Sequence, residues 1–188
     1  MIDLKMLIYD IILASYIIIS VLIFVPPVLL SITSSDPGYL SLSDSIHTFF
    51  SPLCHQLPWR SIFLNDIKMP VCARCTSIYI ATALGLLFFR LKGFGTKEFK
   101  MNWILFGLLF VPTGIDGVTQ LFGLRESTNE LRIIAGFPYG LGYALLMVWA
   151  LPFIWALLEL IWDIVSRKDD KTVNGVVKRL KDMVWPIK

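Results

Sequence analysis

Residues 11–35 pass without a single charged side chain and are dominated by Ile, Leu and Val; a second uncharged run occupies 133–158. A bilayer core takes about 20 apolar residues in helical form, and each run exceeds that. Burying them in a soluble core is excluded by composition. Hydrophobic residues make up 56% and charged residues 16% of the 188, where soluble domains carry about 45–50% apolar and about 25% charged residues. A water-soluble domain of this length buries too little of its surface to hide so much apolar material. The same figures exclude disorder, collagen, a coiled coil and a small disulfide scaffold. The chain is expected to be all-α: a polytopic membrane helical bundle whose first partner is the lipid bilayer.

Four transmembrane helices are expected. The first covers about residues 7–31, with Pro26 and Pro27 kinking or ending it near its outer end. The second begins at Val71 and ends at Arg90 and Lys92. The third covers 102–124 and is interrupted by Pro112, Gly114, Asp116 and Gly117. The fourth runs from Ile133 to about Val165, long enough to tilt, with Pro152 as a kink site. Between the first two, Ser43 and Asp44 cap a short interfacial helix with Ile46, Phe49, Phe50 and Leu53 on its apolar stripe and His47 on its solvated side. Residues 172–188 set Val173, Val176, Val177, Leu180, Met183 and Val184 against Lys178, Arg179 and Lys181, the pattern of an amphipathic helix lying on a membrane. The chain thus divides into a transmembrane domain, 1–165, with an outer connection at 32–70, and an amphipathic tail, 166–188. The first span is too long for a signal peptide, and no small-residue cleavage site follows it. Trp149, Trp155 and Trp162 read as interface anchors or lipid contacts rather than a cofactor box.

Lys and Arg placement sets the orientation. Arg90, Lys92, Lys97 and Lys100 lie in the second connection, and Arg167, Lys168, Lys171, Lys178, Arg179, Lys181 and Lys188 in the tail. These are eleven of the seventeen basic residues, whereas 32–70 holds only Arg60 and Lys68. With an even number of spans both basic segments share a side with both termini, which is then the cytoplasm. The expected place is the cell membrane, multi-pass. The net charge of +3 is an orientation signal, and nucleic acid is not expected as a partner.

That topology gathers the unusual polar residues at the outer face. C-H-Q-L-P-W-R-S carries Cys54, His55, Gln56 and Arg60; P-V-C-A-R-C-T carries Cys72, Arg74 and Cys75; and Asp116, Gln120, Arg125, Ser127, Asn129 and Arg132 follow. Asp116 lies fourteen residues beyond Asn102, about 21 Å along a helix, in the outer part of the bilayer. A carboxylate there is costly unless paired or hydrated. It either forms a structural salt bridge with Arg132, Arg125, Arg74 or Arg60 or lines a polar cavity, with Gln120 and Thr113 on its face. Cys72 and Cys75, spaced i, i+3, put both sulfurs on the first helical turn, where Pro70 favours initiation and the helix end and Arg74 favour thiolate. With Cys54 and His55 they offer three thiolates and an imidazole, a set that tetrahedral zinc or another thiolate-binding transition metal accepts. Reactive redox thiols and inert buried cysteines are the alternatives.

The three strings at 54–61, 71–79 and 116–132 resemble the prokaryotic membrane family named domain of unknown function 2085, over about residues 50–145. In that family a glycine commonly follows the Cys-x-x-Cys-Thr string, where this chain has Ser77; the change removes no candidate ligand. The resemblance supplies no reaction and implies only that the three motifs belong together. The residues themselves suggest a metal site beside a polar cavity. Metal-assisted hydrolysis or transfer on a lipid-linked phosphate is one chemistry for it, with the arginines holding charge and Asp116 as base. A second is a thiol–disulfide oxidoreductase coupled to a membrane quinone through Cys72 and Cys75. A third is a carrier for a metal ion or small polar solute with Asp116 on its path.

Overall fold

The computed structural model describes residues 4–32, 37–93, 99–166 and 168–184. Parts of the connections, and Lys97, Arg167 and Lys188 of the orientation argument, lie outside them. The chain is a bundle of apolar helices, as the sequence predicts. In order come α1 (Leu4–Leu22), α2 (Val25–Ile32), α3 (Pro37–Phe50), a 3-10 turn (Pro58–Arg60), β1 (Ser61–Leu64), β2 (Ile67–Cys72), α4 (Ala73–Leu91), α5 (Trp103–Leu121), α6 (Asn129–Val165) and α7 (Asp170–Val184). Among the described residues, four segments are long and apolar enough to cross a membrane: α1 with α2, α4, α5 and α6.

Small residues decide how they pack. Ser77, Ala81 and Gly85 on α4 meet Gly136, Gly140 and Ala144 on α6 in register, so the two helices run parallel and in close approach. A Cβ on Gly140 would lie 2.5 Å from the Ile78 carbonyl oxygen, and one on Gly85 2.7 Å from the Ala144 Cβ. In lipid, association rests on such backbone proximity and on interhelical hydrogen bonds. The Thr82 hydroxyl reaches the Gly140 carbonyl at 3.1 Å, and that of Thr113 on α5 donates to the Ala135 carbonyl at 2.6 Å. Tyr9 of α1, fully buried, donates to the Leu86 carbonyl at 2.6 Å, and Asp10 takes a two-pronged bond from Arg90 at 2.6 and 3.1 Å.

Several boundaries differ from the expectation. The first span breaks at Ile23 and Phe24, before the prolines rather than at them, because prolines are tolerated in the first turn of a new helix; Pro26 and Pro27 open α2. Helix α3 starts at Pro37, six residues ahead of the expected cap, with Ile46 and Phe50 buried but Phe49 and Leu53 exposed. Pro112 does not interrupt α5, which is continuous across it. Pro70 does not start a helix: it sits in β2, and Cys72 is the N-cap of α4.

The β-hairpin was not expected. Leu64 pairs with Ile67, and Asn65 and Asp66 between them have φ of +50° and +63°, the left-handed pair that a tight two-residue hairpin loop requires. The signal lay in the string I-F-L-N-D-I-K-M.

At the opposite end α7 turns its apolar face onto protein as well as outward. Val176 and Met183 are buried, Trp149 and Trp103 donate to the Met183 and Val184 carbonyls at 3.1 and 2.8 Å, and Arg179 meets Glu159 at 3.0 Å. Trp149 stacks on Phe153 with ring centres 4.8 Å apart, so it anchors α7 rather than the lipid interface.

Candidate functional site

The hairpin delivers the chemistry. Strand β2 runs straight into α4, and its register sets Cys72 opposite Ser61. Beneath it, Ile23, Ile46, Phe50, Met69 and Val71 form a small core that also holds Cys54. The chain reaches Cys54 by a turn closing on the end of α3, with the Cys54 amide donating to the Phe50 carbonyl at 2.9 Å. Gln56, at φ +52°, then folds back so that its amide donates to the His47 carbonyl at 2.6 Å, while Lys68 caps the Gln56 carbonyl at 3.0 Å. His47, half-buried, returns a bond to the Ser43 carbonyl.

These constraints bring three distant cysteines to one point. The sulfurs of Cys54, Cys72 and Cys75 all lie within 4.8 Å of one another, Cys54 buried and the other two half-buried. The Cys72 backbone amide donates to the Cys54 sulfur at 3.2 Å. Hydrogen bonds from the Cys72 and Cys75 thiols hold the Cys54 thiol far below its usual range, and the same contact pushes Cys72 up. The Cys54 thiol therefore loses its proton more readily than that of Cys72. His55 is exposed and stands outside this group, on the rim of the adjoining cavity.

That cavity, about 180 Å³, is bounded on one side by the three cysteines and on the other by Arg60, Arg74, Arg132 and Gln120. A second recess of about 450 Å³ shares Arg60, Gln120 and Arg132 with it and adds Arg125 and Ser127. The expected polar cluster does assemble, and of the four arginines the sequence offered, two take Asp116. Asp116, only 2% exposed, is gripped by Arg74 on one oxygen and by Arg125 at 3.0 Å on the other. Gln120 adds a bond of 3.0 Å from the same helix face. Asp116 lines neither cavity; it stands behind the wall and aims the two guanidinium groups.

Arg132, one of the possible partners for Asp116 on sequence grounds, goes elsewhere. It is 4% exposed and donates to the Asn129 side chain at 2.9 Å and to the Trp59 carbonyl at 3.3 Å, with its Nε buried and without a hydrogen-bond partner among the described residues. Asn129 in turn donates to the Ser61 carbonyl at 3.1 Å, tying the start of α6 to the hairpin.

Residues 54–146 match the family described as predicted membrane protein, domain of unknown function 2085 (DUF2085). An uncharacterised protein of Methanocaldococcus jannaschii is 37% identical over 133 residues, covering 70% of this chain and 85% of its own length. The chain belongs to that family. An uncharacterised protein of Methanothermobacter thermautotrophicus is similar too, 41% identical over 97 residues, which cover 52% of this chain and 86% of that one. No solved structure matches the chain. The family match begins at Cys54 and ends in α6, so it takes in the three cysteines, Asp116 and all four arginines of the site.

Proposed function

We propose that Cys54, Cys72 and Cys75 hold one thiolate-preferring transition metal, zinc in the first instance, on the outer side of the cell membrane, and that the arginine-lined cavity beside them receives an anionic substrate. The observation that carries this is the meeting of three sulfurs from two separate segments at the wall of that cavity. A tetrahedral zinc with Zn–S of about 2.3 Å spaces its sulfurs by about 3.8 Å, so a small contraction would complete the set. The amide bond to the Cys54 sulfur is the kind that supports an anionic ligand. Three protein ligands leave a fourth place for water, substrate or His55. A metal there supplies Lewis acidity and an activated water, the chemistry of hydrolysis or transfer on a phosphate group. The chain's own part is to hold charge with Arg60, Arg74 and Arg132, while Asp116, engaged by two guanidinium groups, serves to position them rather than as base. A thiol–quinone relay is the weaker reading, because one cluster of three sulfurs provides a single pair and no second pair to pass electrons to.

Purified protein is expected to carry about one equivalent of metal per chain by elemental analysis, and any one of Cys54→Ser, Cys72→Ser or Cys75→Ser to lower it. A chelator should release the metal and expose thiols to titration together. A metal-free preparation in which a Cys72–Cys75 disulfide is re-formed by added quinone would replace this reading with the redox one.

A further inference from the structure

A third cavity adjoins the site, and neither the arginines nor the metal reading accounts for it. It measures about 460 Å³ and is walled by Tyr16 and Ile19 of α1, Ile78 and Tyr79 of α4, and Tyr139 and Tyr143 of α6. It shares Leu53 and Cys75 with the cavity beside the cysteines. Ile78 and Tyr79 lie one turn along α4 from Cys75, about 5 Å deeper into the membrane. Three spaces therefore follow one another: an arginine recess, the thiol-walled cavity, and an aromatic pocket within the spanning helices.

The charges at the two ends are as unequal as the surfaces. Asp116 is committed to Arg74 and Arg125, which leaves Arg60 and Arg132 with no ion pair among the described residues. Glu126 lines the outer recess but pairs with neither. A buried guanidinium with a spare Nε–H is costly unless an anion joins it, and Arg132 has that spare donor at the shared wall of both polar spaces.

We infer that the substrate is an anionic amphiphile, a phosphate headgroup on a long hydrocarbon chain, with the headgroup against Arg60 and Arg132 and the start of the chain in the tyrosine pocket between α1, α4 and α6. The inference rests on the anion-binding half of the reading above and adds the membrane as the source of the substrate. Polar and apolar spaces meeting at Leu53 and Cys75 match such a molecule's own division, and the thiol cluster stands where headgroup joins chain.

The test compares three probes on protein in mild detergent, methyl phosphate, hexadecyl phosphate and hexadecanol, with decylubiquinone as a control and metal content measured on the same samples. Hexadecyl phosphate is expected to bind at least about ten-fold more tightly than either of the others, since buried methylenes and the charged head both contribute. Ile19→Trp, which fills the tyrosine pocket, should abolish the difference between the two phosphates, and Arg60→Gln should weaken both. A hexadecyl phosphate carrying a diazirine early in its chain should crosslink to the Ile78–Tyr79 or Tyr139–Tyr143 segments. Equal binding of the two phosphates overturns the inference and leaves the anion site standing. Equal binding of hexadecanol and hexadecyl phosphate overturns both, as does decylubiquinone binding where neither phosphate binds. Loss of metal with the chain-length effect retained counts against the metal alone.

Discussion

Asp116 is the residue on which the outer end of the bundle turns. It is nearly inaccessible, yet it neutralises guanidinium groups from two elements: Arg74 at the start of α4 and Arg125 in the turn before α6. Asp116→Ala should leave Arg74 as a partly buried, unpaired cation and destabilise the protein by about 3–5 kcal/mol. Removing the cation too, in Asp116→Ala with Arg74→Ala, should restore part of that, whereas pairing Asp116→Ala with Arg132→Ala should restore none. Unfolding in mixed micelles, treated as a double-mutant cycle, measures both. Restoration by Arg132→Ala instead of Arg74→Ala would show that Asp116 pairs with Arg132 in the membrane. The sequence made a paired, membrane-embedded carboxylate legible and could not choose among four arginines. That choice depends on how α4, α5 and α6 are rotated about their axes, which no local pattern encodes.

Among the elements, the α4–α6 seam concentrates the sensitivity. Gly140→Ala places a methyl 2.5 Å from a backbone oxygen and 2.7 Å from the Ala81 Cβ. It should cost about 1–3 kcal/mol, as overpacking does. Gly114→Ala on α5 meets nothing within 4 Å and should be neutral or stabilising by up to about 1 kcal/mol through helix propensity. Equal effects in the same unfolding assay would mean that the seam does not hold the bundle. The hairpin shows the reverse relation between pattern and element. Its Asn65–Asp66 loop is a readable two-residue signal, but Pro70 and the Cys-x-x-Cys spacing favoured a helix over the same stretch. Pairing with β1 decided it, since each β2 residue so paired satisfies backbone groups that an isolated helical turn would leave open.

For the whole molecule, the two ends of the bundle differ in kind. One end holds the Asp10–Arg90 pair, residues 99–101 and α7; the other holds the hairpin, the cysteines and the arginine recesses. The Lys and Arg excess predicts that the first faces the cytoplasm. Ser41→Cys on α3 and Lys100→Cys ahead of α5 are both exposed positions. A membrane-impermeant maleimide applied to intact cells is expected to modify the first and spare the second, read from the masses of the labelled peptides. Labelling of Lys100→Cys alone would invert the protein and move the proposed site to the cytoplasmic face.

The sequence by itself determined the solvent, the four spans and the residues that gather at one end. Each of these follows from counting along the chain: about 20 apolar residues cross a bilayer. Only the tertiary structure decided that Cys54 joins Cys72 and Cys75 while His55 stays on the rim, that Asp116 takes Arg74 and Arg125, and that a tyrosine pocket backs onto the thiols. Those outcomes depend on two strands pairing and three helices closing at a small-residue seam. The distances they set are between residues far apart in the chain, and such distances have no local periodicity from which to be read.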